Sequence, residues 1–199
     1  MTFDFEQPLT LKDQILSALG KATSDMGHPW RTPVLGNQQE DAVQLRTLVL
    51  REVDESAGQL IAYTDWRSPK VSQLLKNPEA SWLFYDSSNR CQLRTDTRIE
   101  ILHNNDHVRE TWLEKVTGAN RPAYSTSKAP SSELKEGEEF LSEEQKTSPS
   151  LENCNEGENN FCIIRATITK MELLQLDPDG VHKRILLDLE RGTHQRLVP

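Results

Sequence analysis

From Cys91 to Leu102 apolar and polar residues alternate without a break, a pattern that suits a strand with one buried face. Leu93, Thr95, Thr97, Ile99 and Ile101 point one way; Gln92, Arg94, Asp96, Arg98 and Glu100 point the other. Further strands follow from β-branched and aromatic runs bounded by turn residues: Gln44–Val53, Gln59–Thr64, Ala80–Tyr85, Phe161–Leu176, Val181–Leu189 and Gln195–Val198. Asp54–Gly58, Ser87–Asn89 and Asp177–Gly180 supply the turn chemistry, and the first of these makes Gln44–Val53 and Gln59–Thr64 an antiparallel hairpin. Three helices are expected. One runs from a Thr10 cap to about Ser24, and one from Pro69 until Asn77-Pro78 stops it. The third starts at Asn105 or Asp106 and reaches about Val116, with Val108, Trp112 and Leu113 on its buried side. Six or seven strands joined by short turns, with helices outside, read as a mainly β protein built on an antiparallel barrel or sheet.

A chain of 199 residues can enclose one sizeable core, so a single domain over 1–199 is expected. The formal net charge of −8 is concentrated: residues 131–160 hold nine glutamates and two lysines, −7 of the total. That stretch has little apolar surface to bury and is expected to be a mobile or peripheral insertion, with one short amphipathic helix around Leu134, Phe140 and Leu141. The remainder is nearly neutral and lacks the basic stripe of a nucleic-acid binder. Cys91, Cys154 and Cys162 are odd in number and form no C-x-x-C pair. They fit neither a disulfide framework nor a metal site, and they suit a reducing cytoplasm. Met1–Gln7 lacks the pattern of a secretory leader, and no apolar run is long enough to span a membrane.

The chemistry concentrates in Ala62-Tyr-Thr-Asp-Trp-Arg-Ser-Pro-Lys70, where a strand hands over to a helix. Ser68 suits the N-cap and Pro69 the first helical position. Free N–H groups at such a terminus favour an anion, and Arg67 and Lys70 add positive charge beside it. The same residues also suit an ordinary cap with two solvated cations, which is the commoner arrangement.

The order of motifs carries more. Arg46-Thr-Leu-Val-Leu-Arg51, Tyr63-Thr64, Ser68-Pro-Lys70, Asn77-Pro-Glu-Ala80 and Gln92-Leu-Arg94 through Glu100 together resemble the pyridoxamine 5′-phosphate oxidase family of FMN-binding split barrels. The resemblance is good over Arg46–Glu100 and looser over Phe161–Pro199. It implies a split-barrel fold, FMN as cofactor, and a homodimer with the cofactor at the subunit interface. It implies that Arg46, Thr64, Ser68 and Lys70 hold the FMN phosphate, with Arg67 adding charge. Tyr63 and the Arg46–Val49 backbone, including Thr47 and Leu48, would border the flavin, Gln92 would bond its polar edge, and Arg184 would reach it from the partner subunit. Arg51 and His182 fall at substrate positions, and His182 is the one candidate for proton handling, although a lone histidine on a strand is more often structural.

Several positions depart from the family pattern. Pro69 replaces a basic residue, Ala129-Pro130 a Gln-Ser pair, and Leu174 a flavin-packing tryptophan. Trp112, Val116 and Asn120 fall where substrate phosphate is held and offer no cation, and Gly180-x-His182 replaces Arg-x-His. The implied activity is FMN-dependent oxidation or reduction of a small substrate. Three alternatives remain: a true pyridoxamine phosphate oxidase with a rearranged substrate site, a non-catalytic flavin binder, or a barrel-fold binding module that has lost the cofactor and acts on a partner through the acidic segment.

Overall fold

The computed structural model describes residues 3–199; Met1 and Thr2, at the head of the segment read for a leader, lie outside the described residues. Among the described residues fifteen elements follow one another: α1 (Pro8–Ser24), β1 (Val34–Gln39), β2 (Ala42–Thr47), β3 (Glu52–Asp54), β4 (Gln59–Asp65), α2 (Pro69–Lys76), β5 (Glu79–Asp86), β6 (Cys91–His103), α3 (Asp106–Glu114), a 3₁₀ segment (Gly118–Tyr124), α4 (Glu143–Thr147), α5 (Gly157–Asn160), β7 (Phe161–Gln175), β8 (Lys183–Asp188) and β9 (Thr193–Leu197). The strands form a mainly antiparallel sheet along the path β2-β1-β5-β6-β7-β4-β3, with β8 on β7 and β9 on β8. The path does not close on itself, as in a split barrel. By contacts the chain forms two compact units. The first comprises the described chain up to Ala62, Asn77–Glu100 and Arg165–Pro199; the second comprises Tyr63–Lys76 and Ile101–Ile164.

In the first unit, strand alternation sets the core. Along β6, Cys91, Leu93, Thr95, Thr97 and Ile99 are buried while Arg94, Asp96, Arg98 and Glu100 are exposed, as the period of two requires. Trp82 and Phe84 of β5 share the buried face, and Trp30 meets Phe84 at 6.0 Å between ring centroids. The Trp82 indole donates to Thr97 Oγ1 (3.1 Å), whose hydroxyl donates to Ala80 O (3.0 Å), so these buried polar groups are satisfied. Leu11, Ile15, Leu16 and Leu19 of α1 are fully buried at helical spacing.

Three expectations for this unit need correction. The first helix begins at Pro8, not at Thr10: proline is well placed in a first turn, and the Thr10 hydroxyl donates to Gln7 O (3.1 Å). A strand at Val34–Gln39 went unread because its Gly-Asn-Gln-Gln run has weak strand propensity; it pairs with β2 and β5. The expected single strand Gln44–Val53 is two short ones. Between them, Leu48 N–H bonds Pro33 O (3.0 Å) and Leu50 N–H bonds Arg31 O (2.8 Å), which draws the chain out of the ladder. Arg46 and Arg51 therefore lie on different hairpins.

The second unit is organised by an aromatic cluster. Phe161 meets Tyr63 (5.1 Å), Tyr124 (5.2 Å) and Trp112 (5.7 Å), and Trp112 meets Tyr124 edge-on at 5.8 Å. In α3, Asn105 caps Val108 N–H (2.9 Å), and Val108, Thr111 and Trp112 are buried. Leu113 was expected on that face but is 44% exposed, because the helix turns it away from Trp112. The expected helix near Leu134–Leu141 does not form. Gly137 there takes φ +76°, whereas Ser142 and Gln145 make a capping box that starts α4 instead.

Residues 131–160 nevertheless bond into this unit. Ser127 N–H meets Phe140 O (3.0 Å), Lys128 meets Glu138 (2.6 Å), and Gln145 donates to Ser125 O (3.5 Å). Gly157 holds the closest approach: a β-carbon there would sit 2.5 Å from Ser125 Oγ and 2.8 Å from Trp112 Cη2. Neither the buried ring nor the doubly bonded hydroxyl can retreat freely. Gly157→Ala is expected to destabilise the protein by about 1–2 kcal/mol through overpacking, measured by urea unfolding.

Candidate functional site

The strand-to-helix junction does bring its polar groups together. Lys70 Nζ donates to Thr64 Oγ1 (3.0 Å) and to Ser68 Oγ (2.6 Å), so one ammonium and two hydroxyls gather between the end of β4 and the first turn of α2. Thr64 and Ser68 are buried and Lys70 is half-buried. The local sequence explains the shape. Ser68 N–H bonds Asp65 O (3.0 Å) to close the turn, Val71 N–H bonds Ser68 O (2.9 Å) to open the helix, and Val71 and Leu74 anchor α2. A cation with two hydroxyls is a donor set suited to an oxyanion.

Arg67 is engaged differently from what the motif implies. Its Nε and Nη2 donate to Asp65 Oδ1 (3.1 Å) and Oδ2 (2.7 Å), and Nη1 and Nη2 reach Thr126 O (2.9 Å) and Oγ1 (3.0 Å). Its charge is balanced by a buried carboxylate, so it braces the turn. Trp66 stacks on His103 at 4.0 Å, and its backbone N–H donates to Asn160 O (2.6 Å). Tyr63 packs on Phe161.

In the other unit, Arg46 lies on the core face of β2, opposite buried Leu35, and donates to Asn37 Oδ1. Burial holds its guanidinium somewhat below the usual arginine range. Thr47 ends β2, and Leu48 and Val49 lie in the irregular segment that follows. Arg51 gives its N–H to Ile61 O (2.8 Å). Arg184 donates twice to Glu172 Oε1 (3.1 and 2.7 Å). His182 Nδ1 accepts the Asp177 N–H (3.1 Å) and so closes the β7–β8 turn from an exposed position. Gln92 lines a groove of about 730 Å³ on the outer face of β1, β2, β5 and β6, together with Leu45, Leu83 and Arg94.

Two thiols are strongly perturbed. Burial, helped by Asp65, pushes Cys162 up to about 12, and its thiol donates to Thr64 O (3.4 Å). Burial and Asp86 push Cys91 up to about 12 as well. In the unfolded chain both thiols ionise near pH 9, but in the folded protein they stay neutral until about 12. Their contribution to stability is therefore complete below pH ~8.5 and falls as pH rises through 9 toward 12. The expected slope is up to about 1.4 kcal/mol per pH unit for each thiol, measured as the shift in urea midpoint.

Comparison with known proteins adds a partial match and several structural neighbours. Residues 21–103 match the family model "Pyridoxamine 5′-phosphate oxidase, FMN-binding domain". That stretch, somewhat under half of the chain, is similar to the family's FMN-binding domain. A pyridoxamine 5′-phosphate oxidase-related, FMN-binding protein from Nostoc punctiforme superposes over 100% of both chains with a TM-score of 0.69 at 20% identity. PhzG from Burkholderia lata, solved with tetrahydrophenazine-1-carboxylic acid, covers 97% of this chain and 93% of its own, with a TM-score of 0.70 at 17% identity. A relative of general stress protein 26 from Clostridium acetobutylicum covers 91% and 99%, with a TM-score of 0.56 at 12% identity. No curated protein matches the sequence. At these identities the superpositions establish the fold. Among the described residues, no helix is long and apolar enough to cross a membrane, and no cluster of three or more His, Cys, Asp or Glu side chains is arranged to hold a metal.

Proposed function

We propose that the chain binds FMN and works as an FMN-dependent oxidoreductase on a small substrate. The observation that carries this reading is the Lys70 ammonium held between the Thr64 and Ser68 hydroxyls, inside the stretch that matches an FMN-binding domain. A phosphate monoester is close to a dianion at neutral pH, and each charge-assisted hydrogen bond to it contributes roughly 1.5–3 kcal/mol. Lys70, Thr64 and Ser68 would hold that phosphate, since their donors already converge. When bound, the flavin supplies hydride acceptance and reoxidation, and the protein supplies position and electrostatics.

Assignment of Arg46, Thr47, Leu48, Val49, Tyr63, Gln92 and Arg184 to the flavin rests on the family resemblance. Arg67 acts in this reading through Asp65 and the turn. Arg51 and His182 keep their substrate assignments, with His182 as the candidate proton handler. The purified protein is expected to carry visible flavin absorbance that bleaches anaerobically with a suitable donor. A colourless protein that ignores added FMN would exclude the reading. Bound flavin that no amine or nicotinamide reduces would favour the alternative of a non-catalytic binder, in keeping with the turn-closing role of His182.

The same reading includes a homodimer and a cytoplasmic location. Val43 (71% exposed) and Leu45 (69%) of β2 lie on one face with Leu83 of β5, along the groove edge. Isolated exposed apolar residues are ordinary, but grouped ones mark an interaction surface. The free, buried cysteines suit a reducing compartment. Leu45→Asp is expected to convert a dimer to monomer in sedimentation; an unchanged dimer would take this face out of the interface.

A further inference from the structure

We propose that His103 and Asn160 are positioning residues for the strand-to-helix junction, forming a clasp that joins both ends of the acidic insertion to the Asp65–Arg67 turn. The proposal rests on the reading of Thr64, Ser68 and Lys70 as phosphate donors. Only three residues separate Thr64 from Ser68, so the path of Asp65, Trp66 and Arg67 sets how far apart the two hydroxyls stand. The chain grips that path where it enters the insertion and again where it returns. On entry, Thr126 accepts from Arg67 Nη1 at its carbonyl (2.9 Å) and from Nη2 at its hydroxyl (3.0 Å). On return, Asn160 O accepts the Trp66 backbone N–H (2.6 Å), and the Cys162 thiol donates to Thr64 O (3.4 Å).

Two side chains lock these ends together. Asn160 Nδ2 donates to Tyr124 O (2.8 Å), which ties the returning chain to the entering chain across 36 residues of sequence. His103, the last residue of β6, lies flat on Trp66, with ring centroids 4.0 Å apart and an interplanar angle of 4°. Its Nε2 donates to Asn159 O (2.8 Å), because a carbonyl only accepts. The Trp66 ring is thus held by a second ring that is itself bonded to the residue beside Asn160. Binding groups keep a productive spacing only when the residues behind them are fixed by packing and hydrogen bonds. Cutting the clasp leaves Lys70 and both hydroxyls in the chain but lets the turn between them widen. A phosphate bonded at all three donors feels that change, whereas a flavin without phosphate does not use them. Every residue in this argument belongs to the second unit.

The test compares the full-length protein with Asn160→Ala and with His103→Phe, which keeps a stacking ring and loses the bond to Asn159. Asn153→Ala cuts a bond to Ser148 O (3.0 Å) inside the insertion and serves as the control. The first readout is amide hydrogen exchange at Trp66, Ser68 and Val71, whose N–H groups bond Asn160 O, Asp65 O and Ser68 O. The second is the pair of affinities for FMN and riboflavin. Both clasp variants are expected to speed exchange at these amides and to weaken FMN at least about fivefold, with riboflavin changed by less than about twofold. The control should match the unaltered chain in both readouts, and His103→Phe decides the matter if Asn160→Ala fails to fold. Unchanged exchange at the junction would overturn the proposal. Equal losses for the two flavins would also overturn it, since a purely structural contact has no preference for phosphate. An unaltered chain that does not prefer FMN to riboflavin fails the phosphate reading itself, and exchange alone then decides the clasp.

Discussion

Asp65→Ala is expected to lower the unfolding free energy by about 3 kcal/mol. Asp65 is 5% exposed, and its carboxylate accepts from Arg67 three times: from the backbone N–H (2.8 Å), Nε (3.1 Å) and Nη2 (2.7 Å). Breaking a buried pair from one side typically costs about 3–5 kcal/mol, because the surviving charge stays desolvated. The Arg67 side chain keeps 24% exposure, which places the effect at the lower end. The change also frees the arginine from the turn between Thr64 and Ser68, so FMN affinity should fall with stability. Asp65→Asn preserves shape and loses charge, and should cost less. Urea unfolding of the two variants decides the point, and a loss below about 0.5 kcal/mol for Asp65→Ala would show that the pair is not structural.

The second large effect is on the cofactor. Lys70→Ala is expected to weaken FMN binding at least tenfold, or ~1.4 kcal/mol, with little change in folding stability. Lys70 is half-buried, and its ammonium is held by Thr64 and Ser68 at the mouth of α2, so its removal deletes charge without opening the apolar core. Arg67 cannot replace it, since its charge is already matched by Asp65. Titration of both proteins with FMN, followed by quenching of flavin fluorescence, measures the difference. Unchanged affinity would remove Lys70 from the phosphate site.

How much of this was legible in the sequence depended on whether the signal was local. The alternation of β6 was plain because every second side chain enters one core, and the β4–α2 junction was plain because Ser-Pro announces a helix start. β1 was not, since its strand character comes from pairing with β2 and β5 and not from its Gly-Asn-Gln-Gln composition. Nothing local to Arg46 shows which way it faces; the register places it beside Leu35 and Asn37. Arg67 reads as added charge beside the anion, and its bonds to Thr126, 59 residues away in sequence, are revealed by nothing local. Gly157 was equally silent, as its constraint is set by two side chains distant in sequence.

The most direct measurement is calorimetric titration of the purified chain with FMN and, in parallel, with riboflavin, which carries the same ring without the phosphate. If Thr64, Ser68 and Lys70 grip a phosphate dianion, FMN binds at least tenfold more tightly than riboflavin, and Lys70→Ala narrows the gap. Equal affinity for the two flavins, or binding of neither, would contradict the account.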